Sequence, residues 1–281
     1  MIESIIQYFT HISSAHRTLL LVGGLTFFSL LESAVPLFSF DYSRWKHAGV
    51  NIFFTLTTIL VNFFLAFLLV LSSDWVIGQN FGLLQLVEMP LWLYAIMGVV
   101  LLDFLGAWVP HWVQHHVTWM WKFHVIHHTD QNIDTTSANR HHPGESIIRF
   151  AFTIMAAVIL GAPMWMVLLY QSLSAVLSQF NHANVVLPVA IDKVLNKIIC
   201  TPNMHHVHHH YRQPYSDTNY GNIFSFWDRI FSTYIAVDNS KIKYGLDTHM
   251  DVPDNSNIIT MLMSPFRPHR PEIKYKNSEN L

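Results

Sequence analysis

Four long runs of apolar residues divide the first two thirds of the chain. They cover residues 18–40, 48–71, 90–109 and 147–170. Each is close to the ~20 residues that a helix needs to cross a bilayer. Charged side chains interrupt these runs only at Glu32, Asp103 and Arg149. The pattern predicts four transmembrane helices.

The next segment, residues 171–187, is shorter and more polar, with Asn181, His182 and Asn184 near its end. It is interpreted as the return arm of a hairpin that re-enters the polar phase near His182. From residue 248 the chain is rich in Pro, Asn and Ser, which predicts a loosely ordered tail over 248–281. The expected fold is all-α: a single integral-membrane domain over residues 1–281, with four to five transmembrane or hairpin helices under a helical cap.

Composition supports the membrane assignment. Only 12% of the residues are charged and 51% are hydrophobic, whereas soluble domains carry roughly 25% charged residues. The single cysteine, Cys200, excludes an internal disulfide framework and a four-cysteine metal site. A formal charge of -2 predicts no nucleic-acid partner.

Lys and Arg are unevenly distributed between the connecting segments. Arg44 and Lys46 lie between the first two runs, and ten such residues follow residue 188, but residues 72–89 contain none. Because cytoplasmic segments of membrane proteins are enriched in Lys and Arg, this asymmetry predicts a cytoplasmic carboxyl terminus and a cytoplasmic cap. The membrane would be the bacterial inner membrane or the endoplasmic reticulum.

Histidines are concentrated in one part of the chain: 14 of the 19 lie between His111 and His210. His111 and His115 are four residues apart, so one helical face presents both rings. His124, His127 and His128 share a face in the same way. In the run 205–210, the sets 205/208/209 and 206/209/210 both fit this spacing. Five isolated histidines are assigned no role: His11, His16, His47, His249 and His269.

Clustered imidazoles are ligands for iron, zinc, copper or nickel. One ion takes about four to six ligands, and eight or more are present, so two ions are implied. Metal-bound histidines normally donate their other ring N–H to a carboxylate or a carbonyl. The candidates for this supporting role are Asp103, Glu145, Asp217, Asn219 and Asp228.

The spaced motifs HxxxH at 111–115, HxxHH at 124–128 and HxxHH at 205–209 resemble those of the fatty acid hydroxylase and sterol desaturase superfamily of membrane di-iron oxygenases. The flanking sequences WKFHVIHHTDQNIDTTSANRHHPGE, FNHANVVLP and TPNMHHVHHHYRQPYSDTNYGNIFSFWDRIFSTY are similar to its bacterial sterol-desaturase-like branch. The resemblance covers about residues 90–235. It departs from the family pattern at His141, where an apolar residue is usual, and at Ser232, where glycine is usual.

The resemblance implies a set of metal ligands. It favours the 205/208/209 register and adds His142, from the R-x-H-P pattern, and His182, from the N-H pattern. The implied ligands are His111, His115, His124, His127, His128, His142, His182, His205, His208 and His209.

The same resemblance implies an enzyme that hydroxylates or desaturates a lipid C–H bond with two iron ions and dioxygen. The substrate would be a sterol, a fatty acyl chain or an alkylglycerol-type lipid. Two electrons would come from a separate donor of the ferredoxin or cytochrome b5/reductase type. The alternative is a histidine-rich membrane metal transporter or metal-binding protein, which would place its ligands near the middle of the membrane.

Overall fold

A computed structural model describes residues 1–238, 242–268 and 270, and within these residues the regular elements are helices. They are α1 (Ile2–Thr10), α2 (Ser14–Ala34), α3 (Arg44–Gly78), α4 (Leu91–Asp103), α5 (Val109–His116), α6 (Thr118–His128), α7 (Pro143–Leu160), α8 (Met164–His182), α9 (Val189–Leu195), α10 (Pro202–His208), α11 (Phe226–Ile230), α12 (Val252–Ser256) and α13 (Ile258–Met263). The expected all-α architecture is confirmed.

Four helical segments are long and apolar enough to cross a membrane: Ser14–Ala34, Arg44–Gln85, Leu91–His116 and Pro143–Leu160. The chain is therefore an integral membrane protein with several spans. The helix α3 alone has 35 residues, which is about 50 Å at 1.5 Å per residue. Since a hydrocarbon core is about 30 Å thick, the first turns of α3 extend beyond it into the cap.

The third span continues past its predicted end at residue 109. A π-helical turn, Phe104–Trp108, joins α4 to α5 without breaking the helix axis. Pro110 lies two residues after this turn and has no N–H to donate to an earlier carbonyl. The missing hydrogen bond is consistent with a locally widened helix at this point. The extension carries His111 and His115 to the cap end of the span.

The prediction of one continuous helix over residues 147–170 is wrong. The helix α7 ends at Gly161, which adopts a left-handed conformation with φ 69°, and α8 starts after Pro163. A Cβ at Gly161 would collide with the backbone of Phe81, so glycine is required where the two chain segments touch. The hairpin therefore turns at residues 161–163, and its return arm is α8.

Packing within the membrane brings the helices together in pairs. The helix α3 packs along α7, while α8 packs against α2 and α4. At Gly98 a Cβ would overlap the side chain of Met166, so α4 and α8 cross at close range. Leu102, Leu160 and Val167 are buried in the shared core. As a result, the carboxyl ends of α5 and α8 and the start of α7 meet at one end of the bundle.

The cap is formed by α6, by the loop before α7 and by the chain after α8. Residues 252–266, which belong to the segment expected to be loosely ordered, form α12, α13 and a 3-10 turn over Ser264–Phe266. Met261 of α13 is buried in a cluster with Phe54 of α3 and with Val125 and Ile126 of α6. His269, which was assigned no role, lies outside the described residues.

Candidate metal centre

Two groups of buried histidines lie side by side at the cap end of the bundle. Group A consists of His111, His115, His124, His128 and His208, and group B consists of His127, His182, His205 and His209. Within each group, one ring nitrogen from every residue lies within 4.8 Å of the others. The neighbours His127 and His128 belong to different groups, as do His208 and His209.

Group B has the tighter geometry. The Nε2 atom of His182 lies 3.2 Å from the Nε2 atoms of His127 and His205 and 3.3 Å from that of His209. Four nitrogens at such distances converge on one centre, and metal–nitrogen bonds of about 2.1 Å fit among them. The donor set therefore matches a metal site made of neutral imidazoles.

Four of the five rings of group A are held from behind by their Nδ1 atoms, and His128 Nδ1 has no hydrogen-bond partner among the described residues. His111 Nδ1 is 2.8 Å from the carbonyl of Tyr220, and His208 Nδ1 is 2.7 Å from that of Thr218. In the part of the chain that is described, the Nε2 atoms of His111, His115 and His208 are buried without a hydrogen-bond partner. Buried polar atoms normally have a partner. A metal ion inside the group would supply one.

Two of the proposed supporting carboxylates contact these rings directly. Asp217 Oδ1 is 2.9 Å from His115 Nδ1, and Glu145 Oε1 is 2.7 Å from His124 Nδ1. A carboxylate behind the ring fixes its orientation and increases the basicity of the inward nitrogen.

The other three candidates hold the loop that carries the carbonyl partners. Asp228 accepts the backbone N–H groups of Tyr220 and Gly221, and Asp103 accepts those of residues 223 and 224. Asn219 binds the backbone of Met204 and Ile235. These three side chains shape the backbone around the site, and none of the hydrogen bonds found for them among the described residues goes to a ring of either group.

Burial lowers the pKa of the cap histidines. The pKa of His124 falls to about 4, and those of His127, His128, His205, His208 and His209 fall well below the usual value, with neighbouring histidines adding to the effect. The rings are thus neutral at physiological pH. Neutral imidazole is the form that binds metals.

Nine of the ten histidines predicted as ligands lie in the two groups, and His142 does not. It caps α7: its Nδ1 accepts the N–H of Gly144, and its Nε2 lies 3.1 Å from the carbonyl of Leu262. The adjacent His141 instead stacks near His127, with ring centroids 4.8 Å apart, and its Nδ1 is 3.0 Å from Glu145.

In the run 205–210, His205, His208 and His209 lie in the two groups. His206 lies outside both groups, and its Nδ1 is 2.8 Å from the hydroxyl of Tyr244. His210 also lies outside them, near the backbone of Arg212.

One supporting network was missed by the sequence analysis. His47, which was assigned no role, is largely buried at the start of α3, with its ring nitrogens 2.9 Å from Asp130 and 3.0 Å from Asp134. Arg140 adds a second buried cation, 3.9 Å from Asp130. Although burial raises the pKa of Asp130, the charges of His47 and Arg140 lower it below the usual range. A single histidine just before an apolar run carries no local signal of such partners.

The intramembrane Glu32 has a structural explanation in the same region. Its Oε1 accepts the side-chain O–H of Thr135 at 2.7 Å and the N–H of Asn184 at 2.9 Å, and Arg44 lies 3.6 Å from its Oε2. Glu32 therefore ties α2 to the two loops that flank the histidine groups.

The part of the chain that contains both histidine groups is similar to a known protein family. Residues 95–233 match the family model described as "Fatty acid hydroxylase". The chain is 26% identical over 147 residues to ornithine lipid hydroxylase OlsE of Rhizobium tropici. This alignment covers 52% of this chain and 43% of that protein.

Two further relatives are alkylglycerol monooxygenases. The human protein is 32% identical, over an alignment that covers 56% of this chain and 33% of the human protein. The Danio rerio protein is 30% identical, over an alignment that covers 64% of this chain and 38% of that protein. The chain thus spans less than half of the length of these relatives. No solved structure matches it.

Proposed function

Since this chain belongs to the fatty acid hydroxylase family, we propose that it is a membrane-bound oxidoreductase that hydroxylates a lipid with two iron ions and dioxygen. The observation that carries the proposal is the pair of adjacent, buried groups of neutral histidines, with ligands enough for two ions. When bound there, the metal would supply the activation of dioxygen that side chains cannot provide.

The protein supplies the support for these ligands. The Asp217 and Glu145 carboxylates orient His115 and His124, and the carbonyls of Thr218 and Tyr220 orient His208 and His111. Burial under the cap excludes water from the rings, which protects a reactive centre from side reactions.

A pocket beside the histidine groups offers a route for the substrate. It is lined by His111 of group A and by His127, His182 and His205 of group B. Ala107 and Gly221 also line it, and their small side chains leave space next to the ligands. The pocket encloses about 20 Å³, so a lipid chain would have to displace lining side chains in order to bring a C–H bond to both groups.

Hydroxylation is favoured over desaturation because the relatives are named as a hydroxylase and as monooxygenases. The substrate class is a membrane lipid, in keeping with the lipids in those names. Two electrons per turnover come from a separate cytoplasmic donor of the ferredoxin or cytochrome b5/reductase type.

Transport of a metal ion is a less favoured function for this chain than lipid hydroxylation. Transporter sites lie near the middle of the bilayer, between spanning helices. Here the ligands come from the cap end of α5 and α8 and from the cap elements α6 and α10.

The test combines metal content with product analysis. Protein purified from iron-replete cells should contain about two iron ions per chain by elemental analysis, since each histidine group can hold one. A host that expresses the chain under ¹⁸O₂ should contain a lipid with one ¹⁸O atom, detected by mass spectrometry.

The matched pair of variants is His205→Ala and His206→Ala. The first should lose the labelled lipid, because His205 belongs to group B, and the second should keep it. A single metal ion per chain, or no labelled lipid in the wild type, would contradict the proposal.

A further inference from the structure

The pocket that reaches both histidine groups also contains a cation. Of its lining residues, all of them in the described structure, Arg149 has the only permanently charged side chain, and the polar residues Ser178 and Asn222 accompany it. Arg149 lies in the second turn of α7, within a candidate membrane span. An ionisable group at such a depth is costly unless it has a partner or a function.

Within the described chain, the ion pair between Arg149 and Glu145 is weak. Its guanidinium lies 3.8 Å from Glu145 Oε1, beyond hydrogen-bond distance, and that oxygen already contacts His124 at 2.7 Å and His141 at 3.0 Å. No hydrogen bond from this guanidinium to a described residue is found, and 31% of the side chain is exposed. Its five N–H donors are therefore available to a ligand.

The charge of Arg149 decides what kind of ligand fits. A guanidinium beside two metal sites is repelled by the ions, so it does not assist metal binding. It binds carboxylates and phosphates through two parallel N–H···O bonds. We propose that Arg149 binds the acidic group, a carboxylate or a phosphate, of the lipid substrate. This assignment rests on the proposed function and specifies its substrate class.

The same geometry indicates where the lipid is oxidised. Arg149 and the group A residue His124 approach a single oxygen atom, Oε1 of Glu145. The acidic group of a lipid bound at Arg149 is thus a few ångströms from the histidine groups. The oxidised carbon lies close to the head of the lipid rather than at the far end of its chain.

Binding of three chain-matched probes tests the proposal without turnover. Radiolabelled palmitate, hexadecyl phosphate and 1-hexadecanol would be titrated onto the purified full-length protein in a neutral detergent. At least one of the two acids should bind more tightly than the alcohol. Arg149→Gln should weaken binding of that acid by about tenfold, the usual effect of losing a charged hydrogen bond, and leave the alcohol unchanged.

Two further variants sharpen the result. Arg149→Lys should recover part of the affinity for the acid, because it keeps the charge but not the planar geometry. Lys122→Gln removes a positive charge from α6, outside the pocket, and should behave as wild type.

Unchanged acid binding in Arg149→Gln would overturn the proposal. So would an equal loss for acid and alcohol, or a loss of bound metal, because Arg149 would then serve only as a structural partner of Glu145. A selective loss of acid binding in a protein that oxidises no lipid would leave Arg149 as the residue that binds acidic lipids and refute the proposed function instead.

Discussion

Two adjacent histidines, His141 and His142, illustrate how one residue step changes a role. The backbone of His142 is extended, and successive side chains of an extended segment point to opposite sides. His141 consequently faces Glu145 and His127, whereas His142 caps α7. The resemblance implied His142 as the ligand, and the geometry favours His141.

We predict that His141→Ala lowers metal affinity by about 10- to 100-fold, because metal ligands and their hydrogen-bonded supports have effects of this size. His142→Ala should retain the metal and lose only about 1 kcal/mol of stability as a helix cap. Metal titration with a competing chelator measures both variants. Equal affinities in the two variants would contradict the assignment of His141.

Ser232 occupies a left-handed conformation with φ 59°, at the position where the family usually has glycine. Left-handed backbone costs a non-glycine residue roughly 1 kcal/mol. Ser232→Gly should therefore raise the free energy of unfolding by about 1 kcal/mol, measured by thermal or denaturant unfolding in detergent. Ser264→Gly, at a residue with φ -52°, should bring no gain. A destabilised Ser232→Gly variant would show that the serine side chain outweighs the backbone strain.

At the scale of elements, the loop between α6 and α7 determines how the ligand helices meet. It connects His127 and His128 to His141, and it is fixed to the first turns of α3 by the buried network of His47, Asp130, Asp134 and Arg140. Asn51 of α3 also accepts a hydrogen bond from Arg140 at 2.9 Å. The long helix α3 thereby serves as a support for the metal centre as well as a membrane span.

His47→Leu should destabilise the protein by about 3 kcal/mol, because it removes the cation that lies closest to the buried carboxylates of Asp130 and Asp134. Thermal unfolding in detergent measures the change. The control is His16→Leu, since His16 is exposed on α2 and should tolerate the replacement. Similar stabilities for wild type and His47→Leu would mean that Asp130 and Asp134 are satisfied by other groups.

At the scale of the whole molecule, the helix order places both histidine groups and the Arg44–Lys46 turn at one end. The Lys- and Arg-free connection after α3 lies at the other end, where Gln85 donates to the carbonyl of Gly161 at the hairpin tip. Because Lys and Arg are enriched in cytoplasmic segments of membrane proteins, this charge asymmetry predicts that the end with the histidine groups faces the cytoplasm.

This orientation predicts the location of two reporters. A reporter that is active only in the cytoplasm should be active when fused after Leu281. A cysteine introduced at Gln79 should react with an impermeant thiol reagent from outside, while the buried Cys200 should not. If the carboxyl-terminal reporter is found outside, the predicted orientation and the proposed cytoplasmic electron donor are both wrong, even if the ligands are correctly assigned.

The sequence by itself determined the features that depend on neighbouring residues. Apolar runs of membrane-spanning length marked α2, α3 and the α4–α5 span, and the i, i+3, i+4 spacing marked the histidine motifs. Both signals are local, since a helix brings residues three and four apart onto one face. The end of α7 at Gly161 also has a local signal, a left-handed glycine followed by Pro163, but this signal was missed because it lies inside a long apolar run.

Only the tertiary structure decided which histidines share a site. Residues of one motif divide between the groups: His124 and His128 belong to group A and His127 to group B. Spacing along one helix cannot reveal this division, because each group is completed by rings from other helices that are far away in sequence. The partners of His47 and the available donors of Arg149 have the same origin. Side chains acquire these roles from the packing of separate elements, and local sequence carries no record of that packing.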